Sequence, residues 1–188
     1  MIPIEEHGPE ILEEFAQIPI RFEVKEYFEV VLKDTGLRGM DLVLKEVDPP
    51  YVKDYDIYEP IVSWRGQFDL SNWAFLMARY DGEDVGAAAI AYDTKGVNML
   101  QGRDDIAVLW DIRVAPSYRG MGIGSALFEH AAGWSRERNC RYMKVETQNI
   151  NVPACRFYAK QGCYLGAIDM HAYPDFEDEV CLMWYLTL

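Results

Sequence analysis

The order of elements between residues 106 and 168 constrains this chain more than any other feature. Ile106–Val114 is an apolar run suited to a central strand, and a short loop leads from it into Arg119-Gly120-Met121-Gly122-Ile123-Gly124-Ser125. Ile123, Leu127, His130, Ala131 and Trp134 then fall on one face of a helix. Residues 141–147 read as a further strand, Pro153 suits the first turn of a helix running to about Lys160, and Gly162 suits its end. Residues 163–168 and 180–188 read as closing strands joined by an acidic, irregular segment. Parallel neighbours need a crossover element, so this β-α-β-α-β order implies an α/β or α+β architecture with some parallel pairing.

Upstream, the apolar residues of 21–32 recur with period two, as on a half-buried strand, and residues 42–47 read as a second strand after Gly36 and Gly39. Residues 48–60 hold three prolines and are expected to be irregular or briefly helical. Residues 73–79 and 85–92 flank Tyr80-Asp81-Gly82-Glu83, a hairpin signal because Asp-Gly supplies the positive φ of a tight turn. With 188 residues, half of them hydrophobic, the chain is expected to form one domain spanning 1–188.

Composition narrows the partners. Acidic residues outnumber basic ones by 31 to 18, a formal net charge of −13 that repels nucleic acid and anionic membranes and attracts cations. The four cysteines contain no CxxC pair and the three histidines are scattered, so no metal site is expected and reduced, buried thiols are. The amino terminus lacks the layout of a secretory signal, and no apolar run approaches the roughly 20 residues that span a bilayer. A cytoplasmic location is the expectation.

The glycine-rich loop, set between a strand and a helix, lets backbone approach a ligand and offers helix-start amides to an anion such as a pyrophosphate. An unliganded glycine turn is the plain alternative. A triphosphate loop would need Gly-Lys-Ser/Thr, and Gly124-Ser125-Ala126 has no lysine. A dinucleotide loop would need a third glycine where Ser125 stands, and a turn is inserted before the glycines; Glu146 could still imitate the acid that binds ribose.

Arg119-x-x-Gly122-x-Gly124, after a strand ending Asp111-Ile112-Arg113-Val114, resembles the cofactor motif of the GNAT superfamily of N-acetyltransferases. A second element strengthens the match: Asn151-Val-Pro-Ala154-Cys-Arg-Phe157-Tyr158-Ala-Lys-Gln-Gly162 resembles that superfamily's other coenzyme A motif, at the expected spacing. The similarity covers roughly residues 106–166. Within the superfamily, Glu146-Thr147-Gln148-Asn149, the 154–160 stretch, Gly166 to Met170, Tyr173 and Trp184-Tyr185 look most like streptothricin acetyltransferases.

The resemblance implies a mixed, mostly antiparallel sheet flanked by helices, whose two central parallel strands splay apart around the pantetheine arm of acetyl-CoA. It implies that main-chain groups of Ile112, Arg113 and Val114 bond the pantetheine amides. Amides of Arg119, Gly120, Met121, Gly122, Ile123, Gly124 and Ser125 would hold the pyrophosphate, with Asn151 and Tyr158 completing the cofactor contacts. Tyr158 matches the tyrosine that protonates the departing thiolate; a buried packing tyrosine is its structural alternative. A general base would accept the amine proton. Asp111, costly inside an apolar strand, is slightly preferred over Glu146, and for each a structural ion pair is the competing explanation. Acids interleaved with tyrosines at 48–59, and Asp175, Glu177, Asp178 and Glu179, are expected either to border a pocket for a cationic amine or to be solvated loops. The expected reaction is acetylation of a primary amine on a small cationic molecule, foremost streptothricin, as in antibiotic resistance. Other acceptors remain open (an aminoglycoside, a polyamine, a protein amine), as does a non-catalytic acyl-CoA-binding regulator. An exposed edge strand would permit a homodimer.

Overall fold

The computed structural model of the protein describes residues 2–188. In chain order the elements are β1 (Ile4–His7), α1 (Leu12–Phe15), β2 (Phe22–Leu32), β3 (Met40–Lys53), α2 (Trp64–Gln67), β4 (Ala74–Tyr80), β5 (Glu83–Tyr92), β6 (Ile106–Val114), α3 (Ile123–Glu137), β7 (Tyr142–Gln148), α4 (Val152–Lys160), β8 (Tyr164–Asp169) and β9 (Cys181–Thr187). They form two compact units, each assembled from separate stretches: Met1–Arg21, Asp54–Val145 and Tyr185–Leu188 in the first, Phe22–Lys53 and Glu146–Trp184 in the second.

In the first unit the strands lie in the order β1-β4-β5-β6-β7. All neighbours are antiparallel except β6 and β7, which run parallel. The β4–β5 turn is the expected one, with Asp81 at φ 51° and Gly82 at φ 84°, the doubly positive geometry that matches strand twist. The parallel ladder is short. It pairs Ile106 with Tyr142, Ala107 with Met143 and Val108 with Lys144, and then stops, although β6 runs on to Val114.

Helix α3 packs on this sheet through Ile123, Leu127, Phe128 and Ala131, all buried. Gly86 on β5 makes the approach close: a methyl group there would stand 2.8 Å from Ile123 Cγ2 and 3.1 Å from Leu127 Cδ1. The aromatic core gathers Phe15, Trp64, Trp73, Phe75 and Trp110, with ring centroids 5.3–6.5 Å apart in mostly edge-on and tilted pairs.

In the second unit β2 and β3 form a two-stranded antiparallel ribbon. Here β3 is longer than the sequence suggests, running through Pro49 and Pro50 to Lys53. The register explains the tolerance: Val24 pairs with Tyr51 and Glu26 with Glu46, so both prolines lie in a bulge outside the ladder. Asn149, 2% exposed, bonds Phe28 O through Nδ2 at 3.0 Å and accepts from Val180 N at 2.8 Å. β9 and β8 are neighbours in strand order. The short β1, which pairs with β4 in the first unit, is absent from the sequence expectation, because Ile-Glu-Glu-His shows no alternation over a useful length.

Candidate active site

The first unit carries the glycine-rich loop expected to cradle the phosphates. Gly120 and Gly122 adopt φ of 81° and 86°, a region that side-chain-bearing residues avoid, and a Cβ built on either would meet nothing within 4 Å. The glycines are therefore set by backbone conformation and by open space beside them, not by packing. Gly122 caps α3 without any side-chain hydrogen bond. Ala126 N bonds Gly122 O at 3.0 Å, which sets the loop at the start of α3. Arg119 adds a positive charge whose partners are carbonyls, Val114 O at 3.0 Å and Arg21 O at 3.2 Å. Burial alone lowers its pKa, as expected for a cation lacking a carboxylate. Oriented amides, a helix start and an uncompensated guanidinium make a fitting site for the diphosphate of acetyl-CoA.

β6 supplies the neighbouring main chain. Its pairing with β5 engages one edge at Ile112, Arg113 and Val114, while the ladder to β7 has ended by then. The side chains of this strand do a different job. Arg113, whose side chain is 1% exposed, holds Asp111 in a fork, Nε to Oδ1 at 3.0 Å and Nη2 to Oδ2 at 2.6 Å. The same guanidinium grips both oxygens of Asp56 at 3.0 and 3.1 Å and donates to Ile18 O at 2.9 Å. Burial opposes the charge on Arg113, but Asp111 and Asp56 outweigh it and raise its pKa. Asp111 is thus committed at both oxygens to a buried cation.

The second unit holds the other expected residues. Asn151 caps α4, its Oδ1 accepting from Ala154 N at 3.2 Å, which leaves the amide nitrogen as the group able to donate to a ligand. Tyr158 is 5% exposed on α4, its ring edge-on to Phe157 at 5.3 Å. Glu146, on β7, accepts from Tyr173 OH at 2.6 Å, and Tyr173 OH in turn accepts from Gln148 Nε2 at 3.0 Å. Burial, and then the adjacent Glu146 charge, push the Tyr173 pKa up, so its proton stays on the phenol and points at the carboxylate. Unlike Asp111, Glu146 has no cationic partner among the described residues.

Sequence reading gives Tyr173 no role. It stands 27 residues from Glu146, with no spacing rule to join them. Half of the acids in the two segments have structural partners, while Asp48, Asp175, Glu177 and Asp178 are exposed. Asp54 caps a turn through Asp56 N, Asp56 pairs with Arg113, and Glu59 accepts from Trp64 Nε1 at 3.1 Å. In the second unit Glu179 is 8% exposed and bonded to Lys53 at 2.5 Å, with the ammonium 3.7 Å over the Phe176 ring. These acids are architecture, and the reading of both segments as solvated loops does not hold for them. Among the described residues no cluster of His, Cys, Asp and Glu could hold a metal ion, and no helix is long and apolar enough to cross a membrane.

Comparison with known proteins follows the same lines. Residues 40–163 match the Acetyltransferase (GNAT) family. The streptothricin acetyltransferase of Escherichia coli is 31% identical over 183 residues, covering 94% of this chain and 91% of that protein. Streptothricin acetyltransferase A of Bacillus subtilis (strain 168) is 34% identical over 110 residues, 55% of this chain and 64% of its own length. Among solved structures, nourseothricin acetyltransferase superposes with a TM-score of 0.77 at 25% identity, over 99% of this chain and 98% of that one. A Bacillus anthracis str. Ames protein described as a streptothricin acetyltransferase, solved in complex with acetyl coenzyme A, gives a TM-score of 0.75 at 28% identity over 100% of this chain and 98% of its own.

Proposed function

The chain belongs to the GNAT acetyltransferase family and is an acetyl-CoA-dependent N-acetyltransferase, and from that premise we propose that it acetylates a primary amine of streptothricin or a closely similar cationic antibiotic. The observation that carries this reading is the 31% identity to the Escherichia coli streptothricin acetyltransferase over 94% of the chain, which takes in the amino-terminal half as well as the cofactor motifs. A net charge of −13 agrees with a polycationic acceptor.

Acetyl-CoA supplies an activated acyl group and a thiol as leaving group. The work of the chain is positioning and proton transfer. Amides from Gly120 to Ser125, with Arg119, hold the diphosphate, and main-chain groups of Ile112 to Val114 take the pantetheine amides. The Asn151 amide donates to the same arm. A lysine-like amine is mostly protonated at neutral pH, so it must lose a proton before it can attack. Glu146 takes that proton, directly or through a water, on lone pairs that Tyr173 leaves unused. Asp111 is passed over for this role because Arg113 occupies both its oxygens. Tyr158 returns a proton to the departing sulfur.

Free-thiol release with acetyl-CoA tests the acceptor, using streptothricin beside an aminoglycoside and a polyamine. Streptothricin should be preferred in kcat/KM by on the order of 100-fold or more, the scale at which a site built for one acceptor's polar groups rejects another. Turnover of the polyamine or aminoglycoside alone would remove streptothricin as the acceptor.

A further inference from the structure

In the second unit the ribbon of β2 and β3 has one edge anchored and the other open. Phe28, on β2, donates its N–H to Asn149 O at 3.0 Å and accepts from Asn149 Nδ2, so its main-chain groups point away from β3. Phe28 and its partner Leu44 are therefore a non-hydrogen-bonded pair, as are Val30 with Leu42 and Leu32 with Met40 at steps of two. Met40, Leu42, Leu44 and Glu46 accordingly turn their N–H and C=O groups to the outer edge of β3. Among the described residues no strand pairs along that edge.

A two-stranded ribbon is marginal alone, and an open edge is a template for another strand. The side chains of this ribbon sort by face. Phe28, Val30, Leu32, Met40, Leu42 and Leu44 share one face, and Leu32, Met40 and Leu44 are 43%, 48% and 41% exposed. Asp41, Val43 and Lys45 share the other. Charges on an edge commonly keep copies apart. Here they stand with opposite signs at equal distances from Val43, Asp41 two residues before it and Lys45 two residues after, with Leu42 and Leu44 between. We propose that β3 pairs antiparallel with β3 of a second copy of this chain, about a two-fold axis at Val43.

In that register Leu42 of one copy lies opposite Leu44 of the other and Asp41 opposite Lys45, each contact made twice. The outward groups of Met40, Leu42, Leu44 and Glu46 meet as hydrogen-bonded pairs, about eight main-chain bonds in all. Met40 opposite Glu46 is the one mixed pair. Sliding the copies by two residues either way sets Asp41 against Val43 or Val47, and sliding by one turns the leucines to the charged face. Within its own ribbon Asp41 already bonds Lys33 at 2.7 Å, and Lys45 pairs with Glu29 at 3.4 Å. The contact joins these exposed ion pairs into a network, the arrangement in which surface charges add stability. Arg38 and Glu46 complete a locally neutral segment, 38–47, in a chain whose charge of −13 otherwise drives copies apart.

Analytical ultracentrifugation of the full chain, with charges exchanged, tests the proposal. The wild-type protein should sediment as a monomer–dimer equilibrium. Asp41→Lys sets lysine against lysine and Lys45→Asp sets aspartate against aspartate, so each should weaken dimerisation on the order of tenfold or more. An equimolar mixture of the two variants, one of them fluorescently labelled, should form a heterodimer, since every opposed pair is then lysine with aspartate. Acetyl-CoA affinity within about twofold of wild type shows that each variant is folded. A wild-type chain that stays monomeric, single variants that dimerise as wild type does, or a mixture that does not associate would each overturn the pairing.

Discussion

A carboxylate gripped in a fork by a buried guanidinium is less free to take up a proton than one without a cationic partner, and Asp111 and Glu146 differ in this. The Glu146→Gln change should lower kcat/KM by about 10²–10⁴-fold with little loss of stability, since it removes the proposed general base without uncovering a buried cation. Asp111→Asn should do the reverse. It strips one of two carboxylates from Arg113, so it should lower the urea midpoint while the pH profile of kcat/KM keeps its shape. A shifted profile in Asp111→Asn with none in Glu146→Gln would exchange their roles. Tyr158→Phe should reduce kcat by about 10²-fold or more at neutral pH, read by thiol release, because no proton then awaits the sulfur. The glycine loop and the Asn151-to-Tyr158 stretch can be picked out of the sequence because the residues of each lie within one short segment. The competition between Asp111 and Glu146 is not legible there, since it turns on the reach of Arg113 to Asp56, 57 residues away, and of Tyr173 back to Glu146.

At the scale of elements, α3 couples core packing to the cradle. Gly86 lets the helix approach β5 so closely that an alanine methyl would displace Ile123, the first residue of the helix and part of the cradle. Gly86→Ala should therefore destabilise the protein by about 1–3 kcal/mol and also raise the apparent constant for acetyl-CoA. Calorimetry and acetyl-CoA titration on the one variant check both halves, and a stability loss without the binding loss would uncouple them. β6, α3 and α4 are readable from sequence for different reasons: β6 is a continuous apolar run, α3 repeats its apolar face over four turns, and α4 is bracketed by Pro153 and Gly162. By contrast, β1 has four residues, α1 and α2 four each, and β3 hides its continuation behind two prolines that only the partner strand's register excuses. Local pattern carries no information about a bulge.

For the whole molecule, burial shapes the response to alkali. All four cysteines are free and buried, and burial pushes Cys140, Cys155, Cys163 and Cys181 up from 9.0 to about 11. Between those values the unfolded chain sheds thiol protons that the folded chain retains, so the stability contributed below pH 9 is lost as pH rises toward 11. Urea midpoints should accordingly fall over that interval, and thiol reagents at pH 8 should label the native protein slowly and the urea-unfolded one rapidly. A further consequence lies in the brief contact of β6 with β7, which closes after Val108 and leaves the strand from Leu109 onward half zipped. An extended molecule carrying secondary amides can finish the zipper as a counterfeit strand, and a donor without them cannot. Short acyl thioesters that lack the full pantetheine arm should thus be poor acetyl donors. Hydrogen exchange along this stretch should slow when acetyl-CoA is added and stay fast when only the nucleotide end is supplied.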